Sequence, residues 1–86
     1  MIPARDAWGP WASDITDAER ACRCRCLRAV AHLVLGPRGT GLTEHLRLTE
    51  RDPEHLPLAL AALNRLAGLD LRHTLASYGA INRPRT

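Results

Sequence analysis

Lysine and phenylalanine are absent from this chain of 86 residues, and its only aromatic residues are Trp8, Trp11 and Tyr78. All 12 basic side chains are therefore arginine, and alanine occurs 13 times. Codons rich in G and C favour arginine and alanine over lysine and phenylalanine, so this composition predicts a GC-rich genome, bacterial or viral. The same bias weakens the arginines as evidence for nucleic-acid binding, and a net charge of +3 is modest for a DNA-coating protein.

Long apolar runs are also absent. None approaches the roughly 18 residues that a membrane span needs, and the first residues lack the apolar core of a signal peptide. The cysteines are an odd number and lie together as Cys22, Cys24 and Cys26, unlike the disulfide framework of a small secreted domain. We therefore expect an intracellular protein, cytoplasmic or, in a viral or eukaryotic host context, nuclear.

The chain length and the order of its motifs predict one small all-α domain, a bundle of three or four helices over residues 13–81. Residues 1–12 contain proline and glycine without a helical period, and we expect them to form an extended, flexible arm. Residues 82–86 are predicted to form a mobile basic tail.

The first predicted helix has clear end signals. Ser13, Asp14 or Thr16 can cap its start, and Thr16 has the spacing of a capping box with Glu19. Gly36 followed by Pro37 stops the helix after Leu35. The spacing of apolar residues predicts an inward stripe of Ala18, Cys22, Cys26, Ala29, Val30 and Leu33. Cys24 is predicted on the opposite, exposed face.

Two further helices follow in the sequence. A helix of one or two turns is predicted over residues 42–48, ending near Thr49, and another begins close to Pro57 and runs to Ala67, closed by Gly68. Residues 69–81 fit a fourth helix or, by their alternation, a pair of strands. We favour the helix because both of its ends are signalled.

The third helix is apolar on nearly all sides. Between Leu58 and Ala67 only Asn64 and Arg65 are polar. A domain of 86 residues has few other elements with which to bury such a helix on all sides. We therefore expect part of it to contact a protein partner, through Leu58, Ala61, Ala62 and Arg65.

The two tryptophans allow two interpretations. Either one of them packs into the domain's own core, or Trp8 and Trp11 insert into a pocket of a partner, because tryptophan is enriched among interface hot spots. We expect both to contribute to partner binding.

The cysteines and histidines do not have the spacing of a metal site. On a helix Cys24 points about 160° away from Cys22, whereas structural zinc sites use hairpins that curl around the ion. Cys22 and Cys26 are predicted in the core, with a two-cysteine site completed by His32 or His45 as the alternative. We expect no metal, no cofactor and no enzymatic activity.

The remaining polar features are also predicted as structural. The glycine-rich residues 36–41 lack the lysine of a phosphate-binding loop and are interpreted as an interhelical loop. His45, His55 and His73 are predicted as solvated surface groups.

The order of helices resembles that of a winged-helix domain. Residues 26–35, 42–48 and 57–66 would be its three helices and residues 69–83 its wing. The resemblance implies DNA binding through the third helix, which offers mainly Asn64 and Arg65 for base contacts.

Nucleic-acid contacts are therefore expected to be weak. The arginines placed to make them are Arg20, Arg23, Arg28, Arg83 and Arg85. The favoured function is a noncatalytic adaptor subunit of a larger intracellular assembly, related to transcription or nucleic-acid handling, that binds a protein partner or a second copy. A winged-helix DNA-binding regulator is the alternative.

Overall fold

A computed structural model describes residues 7–82, which contain four α-helices and no strand. The helices are α1 (Asp17–Leu35), α2 (Thr40–Arg51), α3 (Leu56–Asn64) and α4 (Gly68–Asn82). Two 3₁₀ turns, Gly36–Gly39 and Pro53–His55, join α1 to α2 and α2 to α3. The predicted small all-α bundle is confirmed. The winged-helix architecture is wrong for the described residues, because the segment expected to form the wing is helix α4.

Local chemistry explains the ends of α1. The Thr16 side chain accepts a hydrogen bond from the Glu19 backbone N–H at 3.1 Å, which satisfies one of the free donors of the first turn. Asp17 and Glu19 also place negative charge at the positive end of the helix dipole. At the other end Gly36 has a φ of 55°, a conformation that side-chain-bearing residues rarely adopt.

The helix α3 is shorter than predicted. It begins next to Pro57 as expected, but it ends at Asn64 instead of Ala67. The Arg65 backbone N–H is shared between the carbonyls of Ala61 and Ala62, at 3.2 and 3.3 Å, a pattern common at helix ends. Gly68, expected to close this helix, is instead the first residue of α4.

Helix α1 is central to the packing. It lies against both α2 and α4, while α3 packs against α2. The buried core residues are Trp11, Cys24, Leu27, Val30, Ala31, Leu35, Leu42, Leu46, Ala59, Leu63, Leu71 and Tyr78. The main core therefore includes side chains from all four helices.

The predicted inward stripe of α1 is largely wrong. Val30 is buried as expected and Cys26 is half-buried, but the side chain of Leu33 is 83% exposed, and Ala18, Cys22 and Ala29 are exposed as well. The buried face instead carries Cys24, Leu27, Val30, Ala31 and Leu35. Both faces of α1 are apolar, and burying the one with larger side chains removes more apolar area from water than burying alanine and cysteine.

The prediction that Cys24 is exposed is also wrong, because Cys24 lies on the face of α1 that is buried. Burial raises the pKa of the Cys24 thiol to about 11, and the nearby charge of Glu50 adds to the increase while Arg20 opposes it. The buried thiol therefore stays protonated at pH values at which an unfolded cysteine ionises.

We predict that this thiol makes the fold sensitive to alkaline pH. Between pH 9 and 11 the unfolded chain loses the Cys24 proton and the folded chain retains it, so the free energy of unfolding falls as pH rises. The expected loss is about 2 kcal/mol. Urea denaturation of the wild type and of Cys24→Ala across this range measures it, since the variant lacks the titrating group. Identical pH profiles for the two proteins would contradict the prediction.

Candidate binding surfaces

The segment before α1 is held against it by two arginines. Arg20 donates from Nη1 to the carbonyl of Pro10 at 2.5 Å. Arg23 donates from Nη1 to the carbonyls of Ala7 and Gly9, the latter at 3.1 Å. Both guanidinium groups were expected to be available for nucleic acid, and the structure instead uses them to fold residues 7–12 back onto the helix.

Helix α4 and the core hold the same segment. The Tyr78 hydroxyl donates to the Trp8 carbonyl at 2.5 Å. Trp11 is only 9% exposed and belongs to the core, whereas Trp8 is 40% exposed. A Cβ atom on Gly9 would lie 2.2 Å from Cε2 of Trp11, so glycine is needed where the backbone crosses the indole ring.

These contacts correct the interpretation of Trp11 as an anchor for a partner, because its ring fills the chain's own core. Only Trp8 of the two has the exposure that such a role needs. The first part of the predicted arm, residues 1–6, lies outside the described residues. So do Arg83 and Arg85, with the rest of the tail after Asn82.

The outer face of α3 is uncovered by the described part of the chain. Leu58 is 52% exposed and Ala61 and Arg65 are exposed, whereas Ala62, at the edge of this face, is half-buried and packs against the core. Spacings of three and four residues place these four side chains on one side of the helix, which we call the α3 face. The opposite side of α3 contributes Ala59 and Leu63 to the core.

A second surface is a cleft between α1 and α2 with a volume of about 480 Å³, which we call the basic cleft. Its lining residues are Arg25, Arg28, Ala29, His32, Thr43, Glu44 and Arg47. Arg28, predicted as a nucleic-acid contact, forms an ion pair with Glu50 of α2, with Nε and Oε2 2.7 Å apart. Arg25 reaches the same carboxylate at 3.5 Å. Sequence reasoning singled out neither Arg25 nor Arg47, because only the pairing of α1 with α2 brings them to one cleft.

Two histidines meet beside this helix pair. His45 of α2 and His55 of the second 3₁₀ turn are hydrogen-bonded, with Nδ1 and Nε2 2.9 Å apart. Their rings are stacked, with centroids 5.1 Å apart. The prediction of both as solvated surface groups is wrong, because both are half-buried and hydrogen-bonded to each other.

Residues 7–82 contain no group of three or more His, Cys, Asp or Glu side chains that could hold a metal ion. None of the helices within that range is long and apolar enough to cross a membrane.

No protein-family model matches the chain, and no curated protein or solved structure matches it either.

We predict that the two tryptophans differ in their effect on stability. Trp11→Ala should lower the free energy of unfolding by about 3 kcal/mol, because it leaves a cavity in the core. Trp8→Ala should cost less than about 1.5 kcal/mol, because its ring is partly in solvent. Urea denaturation followed by circular dichroism gives both values. Equal losses in the two variants would contradict the assignment of Trp11 to the core.

Proposed function

We propose that the chain is a noncatalytic adaptor subunit that binds a protein partner through the α3 face. The observation that carries the proposal is the exposure of Leu58 on a helix in which only Asn64 is polar. Covering that half-exposed leucine would contribute about 1 kcal/mol, with further gains from the neighbouring alanines.

The composition of the α3 face fits an interface. Ala61 and Ala62 are small enough for a partner helix to approach closely, and Leu58 projects far enough to enter a pocket on that partner. Arg65, at the end of the face, donates from Nε to the Ala61 carbonyl at 3.3 Å and has further donors for an acceptor on the partner. Arginine is enriched in protein interfaces, and lysine is depleted there.

The start of α3 also borders a groove that extends toward the N-terminal segment. The groove has a volume of about 570 Å³ and is lined by Leu56 and Pro57 on one side and by Trp11 and Ala12 on the other. A partner seated on the α3 face could therefore continue along this groove. Trp8, in the same segment, is a candidate for a second contact.

A protein partner is favoured over DNA because three of the arginines expected to contact phosphates are bonded within the chain. Arg20 and Arg23 are bonded to backbone carbonyls and Arg28 to Glu50, so three of the expected phosphate contacts would require these bonds to break. We propose transcription or nucleic-acid handling as the setting of the assembly, with the adaptor contacting protein within it.

Site-specific photocrosslinking tests the proposal. We predict that a photoreactive amino acid in place of Leu58, in the native host cell, gives a discrete crosslinked product with another protein. The same amino acid in place of Leu33, which is more exposed but lies on α1, serves as the control and should give no such product. Ala61→Arg in the same chain should abolish the Leu58 product, because a long charged side chain would separate the two surfaces.

Circular dichroism of Ala61→Arg must show wild-type helicity for the loss to count. No product from position 58, or equal products from positions 58 and 33, would contradict the proposal. A product containing only a second copy of this chain would replace the adaptor function by self-assembly.

A further inference from the structure

The basic cleft carries an excess of positive charge. Three arginines from two helices meet two carboxylates, Glu44 and Glu50, and His32 adds a further nitrogen-bearing ring at the same cleft. These arginines do not take part in the α3 face, so an inference about the cleft is independent of the function proposed above.

One of the ion pairs in the cleft is built into the structure. The Glu50 side chain is only 13% exposed; its Oε2 lies 2.7 Å from Arg28 Nε in an ion pair, and its Oε1 accepts a hydrogen bond from Arg28 Nη2 at 3.3 Å. Removing this carboxylate from Arg28 would leave a charge in a partly buried position, which is costly. This ion pair therefore connects α1 to α2, and Glu50 holds the Arg28 side chain in place at the basic cleft.

The other two arginines can exchange their partners. The Arg25 side chain is 66% exposed and reaches the shared Glu50 only at 3.5 Å. Arg47 pairs with Glu44 on its own helix, three residues away, and both side chains lie in solvent. Exposed pairs of this kind are weak because water screens both charges, so a more highly charged anion can replace Glu44 at little cost.

Arg25 and Arg47 come from different helices, with Ala29 and Thr43 beside them. Each guanidinium presents several N–H donors in a planar fork, which matches the oxygen pairs of a phosphate or carboxylate. A phosphate monoester has three terminal oxygens and up to two negative charges, enough acceptors for two arginines and a histidine that line one cleft. A carboxylate has only two oxygens and one charge to share among them.

The carboxylates of the cleft disfavour a nucleic-acid strand. Glu44 is exposed at the cleft, and Glu50 lies at its border, 3.5 Å from Arg25. The successive phosphates of a polyanion would therefore meet negative charge. A single compact phosphate avoids this repulsion. We propose that the basic cleft binds one phosphate monoester group through Arg25, Arg47 and His32, with Arg28 held in place by Glu50.

Titration of the full chain with two probes tests this proposal and distinguishes the source of the phosphate. One probe is an alanine–phosphoserine–alanine tripeptide, with its unphosphorylated form as the blank, and the other is glycerol 3-phosphate. Nuclear magnetic resonance should show saturable binding of at least one phosphorylated probe, with shifts at the amides of residues 25–32 and 43–47. Stronger binding of the tripeptide indicates a phosphoprotein source, and stronger binding of glycerol 3-phosphate a small metabolite.

Substitutions at the cleft provide the decisive comparison. Arg25→Gln and Arg47→Gln should each weaken binding about fivefold or more, as expected for loss of a charge-assisted hydrogen bond. Glu44→Gln should tighten binding, because it removes the competitor for Arg47. Arg72→Gln, which removes an exposed arginine on α4 outside the cleft, is the control and should stay within about twofold of wild type.

Circular dichroism confirms that each variant is folded. The proposal would be overturned by equal weakening in Arg72→Gln, by weaker binding in Glu44→Gln, or by the absence of saturable binding. Displacement of the phosphorylated probe by a 20-base-pair duplex at equal phosphate concentration would overturn it as well.

Discussion

The close packing at Gly39 of the 3₁₀ turn Gly36–Gly39 against the end of α1 is the constraint on which the rest of the structure depends. A Cβ atom at this position would lie 2.9 Å from Cβ and 3.1 Å from Cδ1 of Leu35, closer than carbon atoms pack. Gly36, with its φ of 55°, supplies the backbone conformation that ends α1. With these two glycines the chain passes from α1 to α2 in one 3₁₀ turn, and Leu35, Leu42 and Leu46 join one core.

The paired helices determine where the other elements and surfaces lie. Because α1 and α2 are adjacent, Arg28 reaches Glu50, and the basic cleft forms between the two helices. Helix α3 then packs mainly on α2 and uses one of its two apolar sides, while α4 packs on α1. A domain of this size does not have enough helices to cover every apolar face. The α3 face and the outer side of α1 remain exposed for this reason.

Sequence reasoning succeeded where a signal is local. The cap at Thr16, the stop at Gly36 and the helical nature of residues 69–81 each depend on neighbouring residues and were predicted correctly. It failed where the outcome depends on a distant element. Which face of α1 is buried depends on α2 and α4, and Cys24 therefore proved to be buried. The contact of His45 with His55 and the convergence of Arg25 with Arg47 likewise require helices that are distant in the sequence to be placed side by side.

A comparison of Gly39→Ala with Gly41→Ala tests the central constraint most directly. A Cβ atom at Gly41, two residues further along in the exposed first turn of α2, would meet nothing within 4 Å. Gly41→Ala should therefore raise the free energy of unfolding by about 0.5 kcal/mol through its better helix propensity. Gly39→Ala should lower it by about 1–3 kcal/mol, because Leu35 must move. Urea denaturation followed by helical circular dichroism measures both values. Stabilisation of similar size in the two variants would show that the turn does not pack against Leu35 as closely as this account requires.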